Sequence, residues 1–152
     1  MQTRRESLKH SAIVAGLLAA TGLFPQFALA AYNKTAFEAK SLAEVLKALG
    51  AGVPLESKDV TLGGPDIAEN GAVVQLTAST VLPGVKQILM LVDKNPAAMI
   101  ALFNLTDSVE PTVTARAKMA QSSDVYAVAI LADGKVHFAK KEIKVTLGGC
   151  GG

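Results

Sequence analysis

The sequence predicts a mainly β protein: an immunoglobulin-like antiparallel β-sandwich of about seven strands, with an N-terminal α-helix and a flexible glycine-rich C-terminal arm. Three observations predict it. Short alternating or apolar runs recur from Val60 to Val145. Turn signals separate them at Gly63-Gly64-Pro65, Asn70-Gly71, Pro83-Gly84, Asn95-Pro96, Glu110-Pro111 and Asp133-Gly134. A chain of 152 residues has room for one sizeable core, not several.

Residues 1–30 read as an export leader. Arg4 and Arg5 form a twin-arginine pair, followed by the apolar run Ala12–Phe24, Pro25 and the small-residue pattern Ala28-Leu29-Ala30 before Ala31. This order is that of a cleaved signal, with cleavage between Ala30 and Ala31. The paired arginines point to the twin-arginine route and hence to the periplasm. Ser7 departs from the aromatic or large apolar residue more usual there. The apolar run is shorter than the roughly 20 residues of a bilayer span, so no stable membrane association is expected.

From about Thr35 to Leu49 the pattern is helical. Thr35-Ala-Phe-Glu38 reads as a capping box, in which a hydroxyl and a carboxylate satisfy orphan N–H groups reciprocally. Leu42, Val45, Leu46 and Leu49 make one apolar stripe, and Gly50 stands where a glycine ends a helix.

After Pro54 the period becomes two. Val60 and Leu62 alternate with polar neighbours, as do Val74, Leu76 and Ala78, then Val113, Ala115, Ala117 and Met119. Ile88–Val92, Ala98–Leu105 and Val125–Leu131 are continuous apolar runs, which predicts strands covered on both faces. Lys135–Val145 alternates with a slip at Lys140-Lys141, which predicts a bulge. Asp133-Gly134 predicts a tight hairpin. The domain is thus expected to span 31–147, with an arm over 148–152.

Charge excludes some partners. The formal net charge is +2, but the leader holds three basic residues and one acidic one, so the remainder carries twelve of each. No basic excess supports nucleic-acid binding. One cysteine excludes an internal disulfide, and with His137 the only histidine after the leader no metal site is expected.

The chain closes with Gly148, Gly149, Cys150, Gly151 and Gly152. Four glycines make a narrow arm with wide backbone freedom, able to carry a thiol into another protein's channel. No Lys, Arg or His flanks Cys150, and a free thiol with pKa near 8.5 is only a few per cent thiolate at neutral pH. That favours a passive carrier over a self-sufficient thiol enzyme. An intermolecular disulfide is the alternative use, in an exported structural or adaptor domain. A prenylation end would need three residues after the cysteine, and a lipoprotein cysteine would follow the leader, where Ala31 stands. A terminal Gly-Gly is also a feature of ubiquitin-like sulfur carriers, but activation by adenylation does not suit an exported chain and leaves Cys150 unexplained.

The Gly148–Gly152 terminus on an exported β-domain resembles the SoxY family, the sulfur carriers of the periplasmic Sox thiosulfate-oxidation system. Pro65-Asp-Ile-Ala-Glu-Asn-Gly71, Lys94-Asn-Pro96, Arg116-Ala-Lys-Met119 and Ile143-Lys-Val-Thr-Leu-Gly-Gly-Cys150 are similar to that family as well. The resemblance implies that Cys150 is the site of covalent sulfur attachment and that the chain holds no cofactor and catalyses nothing alone. A haem-containing SoxXA cytochrome would join thiosulfate oxidatively to Cys150, giving a cysteine S-thiosulfonate. A SoxB hydrolase would release sulfate and leave a persulfide, and a SoxCD dehydrogenase, where present, would oxidise the outer sulfur. The stable partner implied is SoxZ, in a heterodimer.

Other polar residues have plainer readings. Asp66, Glu69 and Asn70 are expected in a turn stabilised by its own side chains. Arg116 and Lys118 share one solvated strand face, and His137 is expected half-buried in a strand.

Overall fold

The computed structural model describes residues 33–149. Arg4, Arg5, Ala30, Ala31, Cys150, Gly151 and Gly152 therefore lie outside the described residues. The expected helix is two helices, α1 (Lys34–Glu38) and α2 (Leu42–Leu49). Thr35 is not a cap. Asn33 caps α1 through its side-chain oxygen, which accepts from the Ala36 N–H at 3.1 Å. The capping box belongs to α2: the Glu44 N–H donates to Ser41 Oγ, and the Glu44 carboxylate takes the Lys40 N–H at 2.8 Å. Gly50 ends α2 with φ +67°, and the Gly50 and Ala51 N–H groups close on the Lys47 and Leu46 carbonyls.

Nine strands follow among the described residues: β1 (Pro54–Glu56), β2 (Val60–Gly63), β3 (Ile67–Asn70), β4 (Val74–Thr80), β5 (Val85–Val92), β6 (Met99–Asn104), β7 (Thr112–Ala117), β8 (Ser123–Leu131) and β9 (Val136–Leu147). They form two sheets. One runs β1-β9-β8-β5-β6, with β3 also on β9, and the other runs β2-β4-β7. This is the expected sandwich with two further strands. β1 and β3 both run parallel to β9, β1 along its first half and β3 along its second. The remaining pairs are antiparallel. The Asp133-Gly134 hairpin forms as expected, with Gly134 at φ +84° and the Lys135 N–H on the Asp133 carboxylate.

The two faces of β5 and β8 explain why their sequences show no polar side. Ile88, Met90, Val92, Val125, Ala127 and Ala129 pack between the sheets with Leu76, Ala78 and Ile143. Leu89, Leu91, Val128 and Ile130 pack on the other face against Val45, Leu46 and Ala36 of the helices. The outer face of β4 and β7 is polar, and Thr77 and Thr114 hydrogen-bond across it at 2.9 Å. Ile143 is fully buried between the sheets, so truncating it would leave a cavity. Ile143→Ala is expected to cost about 2–5 kcal/mol in chemical denaturation, while Val81→Ala, at 82% exposure, should stay within about 0.5 kcal/mol.

The slip at Lys140-Lys141 is not a bulge. The β8–β9 register runs unbroken from Ser123↔Ile143 to Ile130↔Val136, and the irregularities fall in β5 instead. Two changes of cover produce the slip. Val136 and Phe138 lie under the helices, whereas Lys140 and Glu142 on the same face are exposed. Lys141 shares the inner face with Ala139 and Ile143 but carries its ammonium out to the Gly64 carbonyl at 2.6 Å and to Asp66 at 2.8 Å.

Candidate functional site

The site grows out of the end of β9. The Val145 N–H donates to Ser122 Oγ at 2.9 Å, and the Thr146 hydroxyl donates to the Glu69 carbonyl at 2.9 Å. Beyond Leu147 three distant segments meet through their backbones. The Gly71 N–H donates to the Leu147 carbonyl at 2.7 Å, the Met119 N–H to the Gly71 carbonyl at 2.7 Å, and the Gly149 N–H to the Met119 carbonyl at 3.0 Å. The result is a clasp around Leu147–Gly149.

The clasp requires glycine for space rather than for backbone angle. A Cβ on Gly71 would collide with the Met119 carbonyl and stand 2.8 Å from Gly149 N and 2.8 Å from Val145 Cγ1. One on Gly148 would collide with the Ala120 carbonyl. One on Gly149 would stand 2.7 Å from the Gly71 carbonyl oxygen and 2.8 Å from Ala72 Cα. Real Cβ atoms do not approach this closely.

Asn95, in the β5–β6 loop, braces the clasp. Its Nδ2 donates to the Lys118 carbonyl at 2.7 Å, and its Oδ1 accepts from the Ala120 N–H at 3.2 Å. Met119 lies between these two anchor points with its side chain fully buried. The segments around Gly71, Asn95, Met119 and Gly149 are the four on which the resemblance rests, and the sequence gives the three internal ones no part in the thiol site. The fold brings them together.

An arm free from Gly148 onward is the sequence expectation, and here the structure differs. Gly149 is buried and hydrogen-bonded, and Gly148 is packed against Ala120, so both belong to the docked root. Cys150, Gly151 and Gly152 come next in the sequence.

Asp66, Glu69 and Asn70 do not form a self-contained turn. Glu69 and Asn70 lie in β3, and Asp66 precedes it. Their polar groups go separate ways: Asp66 to Lys141, the Glu69 carbonyl to Thr146, and the Asn70 side chain to the Ala72 N–H at 2.8 Å. The Lys141 ammonium, by hydrogen bond and by charge, holds the Asp66 carboxyl below its ordinary value of 3.8. A depressed carboxyl contributes stability above its unfolded value and loses it as pH falls through the lower folded one. Protection of the Lys144 amide, whose N–H donates to the Asp66 carbonyl, is therefore expected to fall, relative to the unstructured exchange rate at the same pH, only below about pH 3.8.

His137 is half-buried in β9, opposite Ala129 and Leu55. Leu147 is ten steps further along β9, about 33 Å at strand rise, so the fold gives the docked root no imidazole from this residue. Arg116 and Lys118 are exposed as expected. Lys94 and Lys118, which adjoin Asn95 and Met119, make no ion pair among the described residues. No group of three His, Cys, Asp or Glu suited to a metal occurs among the described residues. No helix among them is long and apolar enough to cross a membrane.

The family model for "Sulfur oxidation protein SoxY" matches residues 46–150, a span that includes every clasp segment. The chain is similar to the sulfur carrier protein SoxY from Chlorobium limicola f thiosulfatophilum, with 31% identity and a TM-score of 0.62 over 69% of this chain and 94% of that one. It shares its fold with a superoxide reductase (neelaredoxin) from Ignicoccus hospitalis, at 22% identity and a TM-score of 0.51 over 57% and 78% of the two chains. No curated protein sequence matches the chain. The family match, over most of the folded domain and across the clasp, places the chain in the SoxY family of sulfur oxidation proteins.

Proposed function

We propose that this protein is a sulfur carrier in sulfur-compound oxidation, and that Cys150 is the atom-bearing site. The observation that carries the reading is the docked root: the segments around Gly71 and Met119 hold the chain up to Gly149, and the sequence's one thiol comes next. Joining thiosulfate to Cys150 forms an S–S bond, releases the thiol proton and gives up two electrons, which a SoxXA-type cytochrome would accept. Hydrolysis by a SoxB-type enzyme would then release sulfate and leave a persulfide, which a SoxCD-type dehydrogenase would oxidise further. Each adduct is anionic, and Lys94 and Lys118, which adjoin clasp residues in sequence and make no ion pair among the described residues, favour negative charge nearby.

The carrier catalyses nothing alone on this reading, works as a heterodimer with SoxZ, and reaches the periplasm by the twin-arginine route. Incubating the protein with thiosulfate labelled at its outer sulfur and a periplasmic extract should transfer label to the chain, and reductant should strip it. Absence of label, with the chain running as a homodimer on a non-reducing gel, would favour the structural-domain alternative. Lysine at positions 4 and 5 should leave the protein in the cytoplasm by fractionation, and continued export would refute the twin-arginine route.

A further inference from the structure

We infer that Asn95 is a positioning residue for the Cys150 thiol, acting through the 118–120 strap. The inference rests on the reading of Cys150 as the sulfur-bearing group. Asn95 supplies one donor and one acceptor, and it spends them on the two sides of Met119: on the Lys118 carbonyl at 2.7 Å and the Ala120 N–H at 3.2 Å. Two anchors flanking one residue fix the direction in which the Met119 carbonyl points. That carbonyl holds the Gly149 N–H, and Cys150 is the next residue in the sequence.

Asn95 is itself held on the sheet. Its own N–H donates to the Val92 carbonyl at 3.3 Å, the Lys94 N–H donates to Ser123 Oγ at 3.0 Å, and the Asp93 N–H donates to the Asp124 carbonyl at 3.0 Å. A continuous path thus runs from β5 and β8 through one side-chain amide to the residue before the thiol. Its consequence is preorganisation: the thiol leaves the domain from a fixed point, so less conformational freedom is lost when it enters a partner's site.

A nitroxide on the protein's one cysteine and amide exchange at Gly149 test this, and neither depends on sulfur chemistry. Asn95→Ala is expected to narrow the nitroxide spectrum and to raise Gly149 exchange about tenfold relative to the Val92 amide, as loss of two hydrogen bonds predicts. Asn95→Asp keeps the acceptor and loses the donor, and should fall between. A merely structural asparagine would lower the melting temperature with the exchange ratio and the spectrum unchanged, and that result would overturn the inference. Where Asn95→Ala fails to fold, the aspartate variant and the unsubstituted protein decide: a Gly149 amide exchanging at the unprotected rate also overturns it. Failure of the carrier reading would appear separately, as a Cys150 that never bears sulfur in a protein whose label still responds to Asn95.

Discussion

Gly71→Ala is expected to unfasten the root of the thiol arm and to lower stability by on the order of 1–3 kcal/mol, the usual cost of an added methyl with no space to enter. For a domain of this size that is a melting temperature about 4–12 °C lower. The reason is backbone geometry. Gly71 gives its N–H to Leu147 and its carbonyl to Met119, and its Cβ would occupy the space of the Met119 carbonyl. No side-chain rotation relieves such a clash, so the 118–120 strap must move and the Gly149 N–H loses its acceptor. Amide exchange should show Met119 and Gly149 losing protection together. Gly63→Ala is the control, because its Cβ would meet Thr77 Cβ at 3.4 Å, an ordinary contact. Equal effects from the two substitutions would remove the clasp from this account.

Cys150→Ser is expected to abolish sulfur loading and to bring thiosulfate-dependent cytochrome reduction to background. A hydroxyl cannot form the sulfur–sulfur bond on which every adduct depends, and the sequence holds no second thiol to replace it. Serine differs from cysteine by one atom, and the melting temperature is expected to stay within about 2 °C. Retained activity in this variant would refute the carrier mechanism, whatever the state of the clasp.

The two predictions separate what the chain discloses locally from what only the fold assembles. The β4 and β7 strands are legible by their period of two, and β5 and β8 by short continuous apolar runs, whose lack of polar residues also discloses their two-sided burial. β1 and β3 are not legible. Each is only three or four residues long, and each pairs parallel to β9, which lies some eighty residues further on. The helix break escapes notice because Thr35-Ala-Phe-Glu38 has the same form as the working Ser41–Glu44 box.

At the site, Cys150 stands out by being single and set among glycines, and this is a property of the sequence. The clasp does not stand out, because Gly71, Met119 and Gly149 act through backbone hydrogen bonds between segments distant in the chain. Asn95 in turn reads as an ordinary turn residue until its side chain is seen on the Lys118 carbonyl and the Ala120 N–H. Gly148 and Gly149 carry the clearest lesson. Glycine reads as freedom in sequence, and here it permits close packing.

The central claim is that Cys150 carries sulfur covalently. It is tested most directly by the mass of the C-terminal peptide from protein isolated, without reductant, from cells oxidising thiosulfate. Added sulfur or thiosulfonate, confined to the peptide containing Cys150 and removed by reductant, is the expected result. An unmodified peptide, or one found only as a disulfide with a second copy of itself, would contradict it.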